Sequence, residues 1–327
     1  MSDTTSASGE APAAVDAAAQ PTGSDTGVST RSPEGAAVAA ATGGSAEQAG
    51  LWKDVWRQLR RKPQFIFGAT VVLVFTVMAI FPRLFTRTDP RACTLSNSRK
   101  GPSSDAWFGY DIQGCDYYAN VIYGARVSIA IGLLVVGGSL LIGLVLGALA
   151  GFFGGWVDSL IARVADVIYG LPLILGAILI LNSFTDRGLP QVAIALIALS
   201  WMTFLRLFRS SVVSIKDSDY VAAARSMGAR DSRIILTHIL PNAIAPVLVY
   251  ATIFVGGIIA AEATLSFLGI GLQLPAISWG LQINSGQRLL RTAPHIILFP
   301  SLFLSVTVLS FILLGDALRD ALDPKLR

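Results

Sequence analysis

The sequence predicts an all-α, polytopic membrane protein of six transmembrane helices. Several separate runs approach or exceed the roughly 18 apolar residues needed to cross about 30 Å of hydrocarbon. Hydrophobic residues make up 53% of the 327-residue chain and charged residues 14%, and mean hydropathy is +0.61. The runs are too long for barrel strands and lack the alternating polar positions of a barrel wall.

Residues 1–50 are a different material. Small residues and Pro dominate, and six acidic residues (Asp3, Glu10, Asp16, Asp25, Glu34, Glu47) stand against one basic residue, Arg31. Such a stretch buries too little surface to offset its chain entropy, so it reads as a disordered cytoplasmic tail. It is no signal peptide, having neither a basic start nor an apolar stretch. The remainder is more basic, which fits topogenic charge and lipid headgroup contact rather than nucleic-acid binding.

Residues 51–63 place Trp52, Val55, Trp56 and Leu59 on one helical face, with Lys53, Arg57, Arg60, Arg61 and Lys62 around the rest. That pattern predicts an amphipathic helix on a membrane surface. Its basic cluster precedes the first span, 64–82, and keeps the N-terminus cytoplasmic. The membrane region 64–327 then alternates sides. An outer loop, 83–120, carries Arg83, Arg87, Arg91, Arg99 and Lys100, which run against the charge rule, and both cysteines, Cys93 and Cys115. The pair either closes a disulfide loop, contributing about 3 kcal/mol, or remains as two thiols.

The second span, 127–153, leads into a stripe of small residues: Ser139, Gly143, Gly147, Gly151 and Gly155 recur every fourth position. In lipid such spacing predicts a close-packing seam against another helix. The chain turns at 154–172, where Arg163 and Asp166 lie on one face beside Asp158. The third span is 164–183, the fourth 191–208, the fifth 243–268 and the sixth 295–315. An outer segment, 270–294, contains Pro275 and Trp279, and the Trp either meets another protein or anchors at the interface. The polar tail with Asp316, Arg319, Asp320 and Asp323 returns to the cytoplasm, as a solvated or partner-facing helix.

The coupling loop, 209–240, is the densest basic stretch of the membrane region. Asp217 and Asp219 favour a helix start. The helix carries Tyr220, Ala223, Ala224 and Met227 along an apolar side, and Gly228 can close it in the left-handed conformation. A second short helix starts at Asp231 or Ser232, and Pro241 introduces the fifth span. The segment is too small for a domain and holds no reactive constellation, so it is read as something a partner grips.

Here the residues resemble a family. The order "AAARSMG", nine residues, then "HILP" is similar to the cytoplasmic signature of ATP-binding-cassette importer permeases: Glu-Ala-Ala, three residues, Gly, nine residues, Ile, any residue, Leu-Pro. The match falls on Ala223, Ala224, Gly228, Leu240 and Pro241, and departs at Ala222 and His238. "WFGYDIQGCDYYANVIYGARVS", "AEATLSFLGIGLQLPAISWG" and "LLGDALRDALDPKLR" resemble C-type permeases of the dipeptide and oligopeptide (peptide/nickel) branch. The resemblance covers about 51–327 and implies the type I importer permease fold in a bacterial cytoplasmic membrane, with both termini cytoplasmic. It implies a coupling site of Asp219, Tyr220, Ala223, Ala224, Arg225, Met227, Gly228, Leu240 and Pro241 that docks on a separate ATPase. It also implies a heterodimer with a related permease, one or two ATPases, an extracytoplasmic substrate-binding protein and peptide cargo moved by alternating access. Nickel, glutathione or another small solute is the alternative cargo.

The chain lacks a Gly-x-x-x-x-Gly-Lys phosphate loop, so it is read as a transporter subunit and not an enzyme. It is expected to bind no cofactor, ATP and magnesium residing on the partners. Glu262 is the one acidic residue well inside an apolar run and is costly there. It is assigned either to the translocation path and its outer gate or to a helix-packing hydrogen bond. His238 and His295 have no second ligand nearby, which speaks against metal. An ion-coupled secondary transporter would need paired intramembrane charges and internal repeats, and neither is evident.

Overall fold

The computed structural model describes residues 56–322. The tail 1–50, Trp52, Lys53, Val55 and Asp323 lie outside the described residues. Nine principal helices follow in order: α1 (Pro63–Ile80), α2 (Tyr117–Phe153), α3 (Gly155–Tyr169), α4 (Leu173–Leu181), α5 (Leu189–Ile215), α6 (Asp219–Ser226), α7 (Ala245–Phe267), α8 (Trp279–Gly286) and α9 (His295–Leu322). Five of them, α1, α2, α5, α7 and α9, are long and apolar enough to cross a membrane. The predicted third span is instead broken: α3 and α4 meet at an 85° bend. Gly170, Leu171 and Pro172 form the break, and Pro172 takes an extended ψ of 129°, where a proline ring tolerates chain reversal better than helix. Counting the bent pair as one span gives six.

Three helices outrun the hydropathy. α2 begins at Tyr117, ten positions before the predicted 127, so the outer loop ends at Asp116 rather than 120. Asp116 caps it, Oδ1 accepting the Ala119 N–H at 2.8 Å, which satisfies one of the orphan donors of the first turn. At 37 residues, α2 is about 55 Å long. α5 continues past the predicted 208 to Ile215, so Arg206 and Arg209 are helical and the coupling loop starts after Lys216. α9 runs on through "GDALRDAL" to Leu322 instead of ending at 315. There Ala317 and Ala321 bury Leu59, and Lys62 pairs with Asp320 at 2.9 Å. Leu59 is thus covered by protein, while Trp56 stays half exposed beneath the Arg60 guanidinium.

The most extensive helix pairing joins α2 to α5, which identifies the partner of the small-residue stripe. A methyl group added to Gly143 would stand 2.8 Å from the Leu205 N, one on Gly147 2.9 Å from the Leu205 carbonyl oxygen, and one on Gly151 2.8 Å from Val212 Cβ. Ser139 is buried on the same side. Gly155 does not belong to the seam. It follows Gly154, whose left-handed φ of 63° ends α2, and an added Cβ would meet nothing within 4 Å. The acidic residues of α3 also find different partners from those predicted. Asp166 binds Arg206 at 2.7 Å and Asp158 receives two bonds from Arg209, the Nη2 one at 2.6 Å. A local Arg163–Asp166 pair is not formed, because the close seam brings the α5 guanidiniums within reach of α3.

At the opposite end of α2, the loop folds back on a bond between Cys93 and Cys115. Asp111 closes the turn, Oδ1 accepting the N–H groups of Gln113 and Cys115 at 2.8 Å each. Burial pushes its carboxyl above the usual range, while backbone N–H groups of Cys115, Gln113 and Gly114 pull it back. His295 turns Nε2 to the Tyr110 carbonyl at 3.1 Å, a structural contact. α9 contains Pro300, which cannot donate to the Ile296 carbonyl one turn back. The buried Tyr117 hydroxyl donates to that oxygen instead.

Two outcomes follow for thermal unfolding in detergent. Gly143→Ala should cost about 1–3 kcal/mol through overpacking, whereas Gly137→Ala, where an added methyl meets nothing within 4 Å, should be nearly neutral. Tyr117→Phe should cost about 1–3 kcal/mol by stranding a buried carbonyl. An unchanged melting temperature in either of the first and last variants would contradict the packing described.

Candidate functional site

The first site is the short helix between α5 and α7. After Lys216 the chain turns, and Ser218 takes the extended N-cap conformation. Its hydroxyl does not cap the helix; it donates back to the Ile215 carbonyl at 2.7 Å, tying the turn to the end of α5. α6 then runs for eight residues. Its C-terminus is a Schellman motif, in which Gly228 N–H bonds the Arg225 carbonyl and Ala229 N–H bonds the Ala224 carbonyl, both near 3 Å. Gly228 has a φ of 78°, the left-handed value that favours glycine at this position.

The predicted apolar side divides, with Ala224 facing inward and Tyr220, Ala223 and Met227 outward. Val221 and Ala224 are the buried residues of α6, packed into the core that also holds Val212, Ile234 and Ile239. Ala224 is therefore an internal anchor of α6. Tyr220, Ala223 and Met227 point away from the body, Met227 at 81% exposure. Asp219 is exposed beside them, and the Arg225 guanidinium sits 5.7 Å from the Phe152 ring at the end of α2. Exposed apolar groups on a helix held by only two small residues form a surface suited to be covered.

Beyond Gly228 a short turn of helix, Asp231–Arg233, passes into a π segment, Ile234–Ile239, and then Leu240–Ala243. Pro241 cannot donate to the carbonyl four residues back, and widened π turns arise at such places. Asn242 Nδ2 donates to the His238 carbonyl at 2.7 Å. Leu240 is half-buried and Pro241 exposed, so Pro241 shapes the entry to α7 more than it packs.

The second site is Glu262, fully buried on α7. Its Oε1 accepts from the Ser266 hydroxyl at 2.8 Å and from the Ser278 hydroxyl at 3.2 Å. Both serines also receive backbone N–H groups, Ser266 from Leu272 and Ser278 from Leu281. Ser278 is the N-cap of α8, so one carboxylate joins α7 to the outer segment. α8 is locked from its other side as well. Trp279 donates its backbone N–H to Ser128 at 3.2 Å and its indole N–H to the Val121 carbonyl at 3.0 Å, and Gln282 donates to the Asn120 carbonyl. Trp279 is completely buried. Neither an interfacial anchor nor a contact for a delivering protein fits it; it is a plug among α1, α2 and α9, against Phe75, Val121 and Phe303.

Ser266 and Ser278 were missed in the sequence reading. Ser266 stands four residues after Glu262, the spacing of a helical neighbour, and Ser278 precedes "WGLQ" as an N-cap would. Among the described residues no group of three or more His, Cys, Asp or Glu side chains is arranged to hold a metal. Glu262→Ala should lower stability by roughly 1–3 kcal/mol, read by thermal unfolding, with Glu262→Gln retaining most of it because Oε1 alone carries the two bonds.

Comparison with known proteins places this geometry. Residues 143–327 match the model of the binding-protein-dependent transport system inner membrane component, and residues 50–102 match the N-terminal TM domain of oligopeptide transport permease C. The dipeptide transport system permease protein DppC of Alkalihalophilus pseudofirmus is 38% identical over 276 residues, covering 84% of this chain and 90% of the relative. The oligopeptide transport system permease protein OppC of Bacillus subtilis is 38% identical over 294 residues, covering 88% and 96%. The glutathione transport system permease protein GsiD of Escherichia coli is 40% identical over 277 residues, covering 84% and 91%. The inward-facing MetNI methionine ABC transporter superposes with a TM-score of 0.51 over 62% of this chain and 96% of that one, at 18% identity, a likeness of fold alone. The chain belongs to the binding-protein-dependent inner-membrane permeases of ABC importers, in the C-type group of the dipeptide and oligopeptide branch.

Proposed function

We propose that this chain imports di- and oligopeptides as one of two related permeases in a heterodimer, driven by separate ATPase subunits and supplied by an extracytoplasmic binding protein. The observation that carries the reading is α6: a helix pinned by Val221 and Ala224, closed at Gly228, and presenting Tyr220, Ala223 and Met227 outward. A partner gripping that surface would displace the ends of α5 and α7 together. ATP and magnesium belong to the ATPases, and this chain binds no cofactor. ATP-driven closure of the ATPases then biases a two-state bundle, because a remote ligand shifts only what it binds differentially.

The α6 end is assigned to the cytoplasm of a bacterial cell, with both termini, since Arg57, Arg60, Arg61 and Lys62 cluster there. The disulfide end faces outward, where oxidising conditions keep the Cys93–Cys115 bond. Cargo is argued from the relatives: those named for dipeptides, oligopeptides and glutathione share a peptide-like backbone. Glutathione itself is a second reading, favoured by the 40% identity to the glutathione permease. If the outer gate involves Glu262, its bonds require the 266–278 segment to move with α7.

Affinity purification of the tagged chain in mild detergent should recover a second permease and one or two ATPases, with ATP hydrolysis stimulated by peptide and its binding protein. Recovery of the chain alone would sink the proposal. Gly228→Val should reduce uptake at least about tenfold at normal membrane abundance, because a β-branched residue is strained at positive φ. Gly228→Asn, which tolerates that conformation, should restore most of it.

A further inference from the structure

The two ends of the bundle treat their basic residues differently. At the α6 end Lys62, Arg206 and Arg209 each meet a carboxylate. At the disulfide end Arg83, Arg87, Arg91 and Arg126 are exposed, and among the described residues none of them forms a salt bridge. All four line one cavity of about 600 Å³ together with Tyr123 and Asp89. Asp89 is engaged with the backbone, accepting the Arg91 N–H at 2.9 Å, and Arg91 reaches across to the Pro275 carbonyl at 3.2 Å. Arg126 stands in the third turn of α2, on the same exposed surface. Unpaired arginines also oppose the charge bias expected of an outer loop.

A second cavity of about 410 Å³ adjoins the first and shares Pro90, Arg91 and Ile277 with it. Its wall is formed by the disulfide and mainly by apolar groups such as Ile112, Leu274 and Leu281, with Asp111, Gln113 and Ser285 as its polar points. The combined space is a donor-rich chamber leading past Arg91 to a chamber bearing a carboxylate. That polarity matches a zwitterion longer than a single anion.

We propose that Arg83, Arg87, Arg91 and Arg126 form a receiving site for the C-terminal carboxylate of peptide cargo, with the peptide lying past the disulfide toward Asp111. This rests on the peptide-importer reading above and on its outward assignment of the disulfide end. Guanidinium groups bind carboxylates through paired, charge-assisted hydrogen bonds, and a concave basic chamber raises the local concentration of an anionic group. The site would take peptide released at the outer face and orient it before the bundle closes.

The test uses the complete importer with saturating binding protein in proteoliposomes, and compares trialanine with its C-terminal amide. Because the binding protein is common to all measurements, its own preference cancels in the ratio of variant to wild type. Arg87→Gln/Arg126→Gln should raise the KM for the free acid about tenfold, the loss of one charge-assisted contact, and leave the KM for the amide unchanged. Arg87→Lys/Arg126→Lys keeps the charge and should retain most of the discrimination, which also controls for assembly. If the double Gln variant fails to assemble, the two single Gln variants carry the same readout. Equal changes for acid and amide would overturn the inference, pointing to binding-protein docking, or to a lipid headgroup if they follow the anionic lipid content. No change for either peptide would overturn it as well. A wild-type importer that moves neither peptide removes the peptide reading and this site together, whereas the variant outcomes concern the site alone.

Discussion

The close approach of α2 and α5 is the contact on which the other arrangements depend. Lipid offers no hydrophobic drive for one helix to leave it for another, so association rests on dispersion and backbone proximity. Bare Cα positions at Gly143, Gly147 and Gly151 let the α5 backbone lie where side chains would otherwise stand. The consequences are local and specific. Arg206 and Arg209 come level with Asp166 and Asp158, so the basic end of α5 is neutralised by α3. The same contact fixes where Ile215 ends, and Ser218 hangs α6 from that point.

A second constraint operates at the other end and is polar. Glu262 is buried, yet it is bonded to hydroxyls rather than to a cation. Each hydroxyl also accepts a backbone N–H, so the loop between α7 and α8 is organised around one oxygen. Glu262 Oε2 and Gln282 Oε1 have no hydrogen-bond partner of their own among the described residues, so the cohesion comes from Glu262 Oε1 and the two serines. Trp279 and Gln282 extend the arrangement to α2 through two carbonyls in its first turns. The outer segment is therefore folded structure, docked between two spans, and its indole belongs to the interior.

Much of this was legible in the sequence, and the rest was hidden for identifiable reasons. Apolar runs located the spans, because the hydrocarbon sets their length. The fourfold spacing of glycine announced a seam but could not name α5, since any helix with a smooth face would serve. Helix ends were misplaced where polar residues remain helical: Asp116 caps α2 among "YYANVIYGAR", and Gly315 continues α9 because it packs on Ile253. Hydropathy sees neither capping nor tertiary contact. Which apolar residues of α6 turn inward was not legible, because eight residues give barely two turns and Tyr220, Val221 and Ala224 are all apolar. That is settled by Ile234 and Ile239, which belong to the following segment.

α9 has a mechanical implication. It runs unbroken for 28 residues, about 42 Å, and both tips are fastened. One is held by His295 to the Tyr110 carbonyl and by Tyr117 to Ile296; the other by Asp320 to Lys62 and by Ala317 and Ala321 to Leu59. Pro300 removes one bond of the α9 ladder, and the Tyr117 hydroxyl takes the freed Ile296 carbonyl, so the strut is braced at its weakest point. A rigid tilt of α9 about its middle would displace the Asp320 end and the His295 end in opposite directions, so widening one mouth of the bundle and narrowing the other would become a single motion.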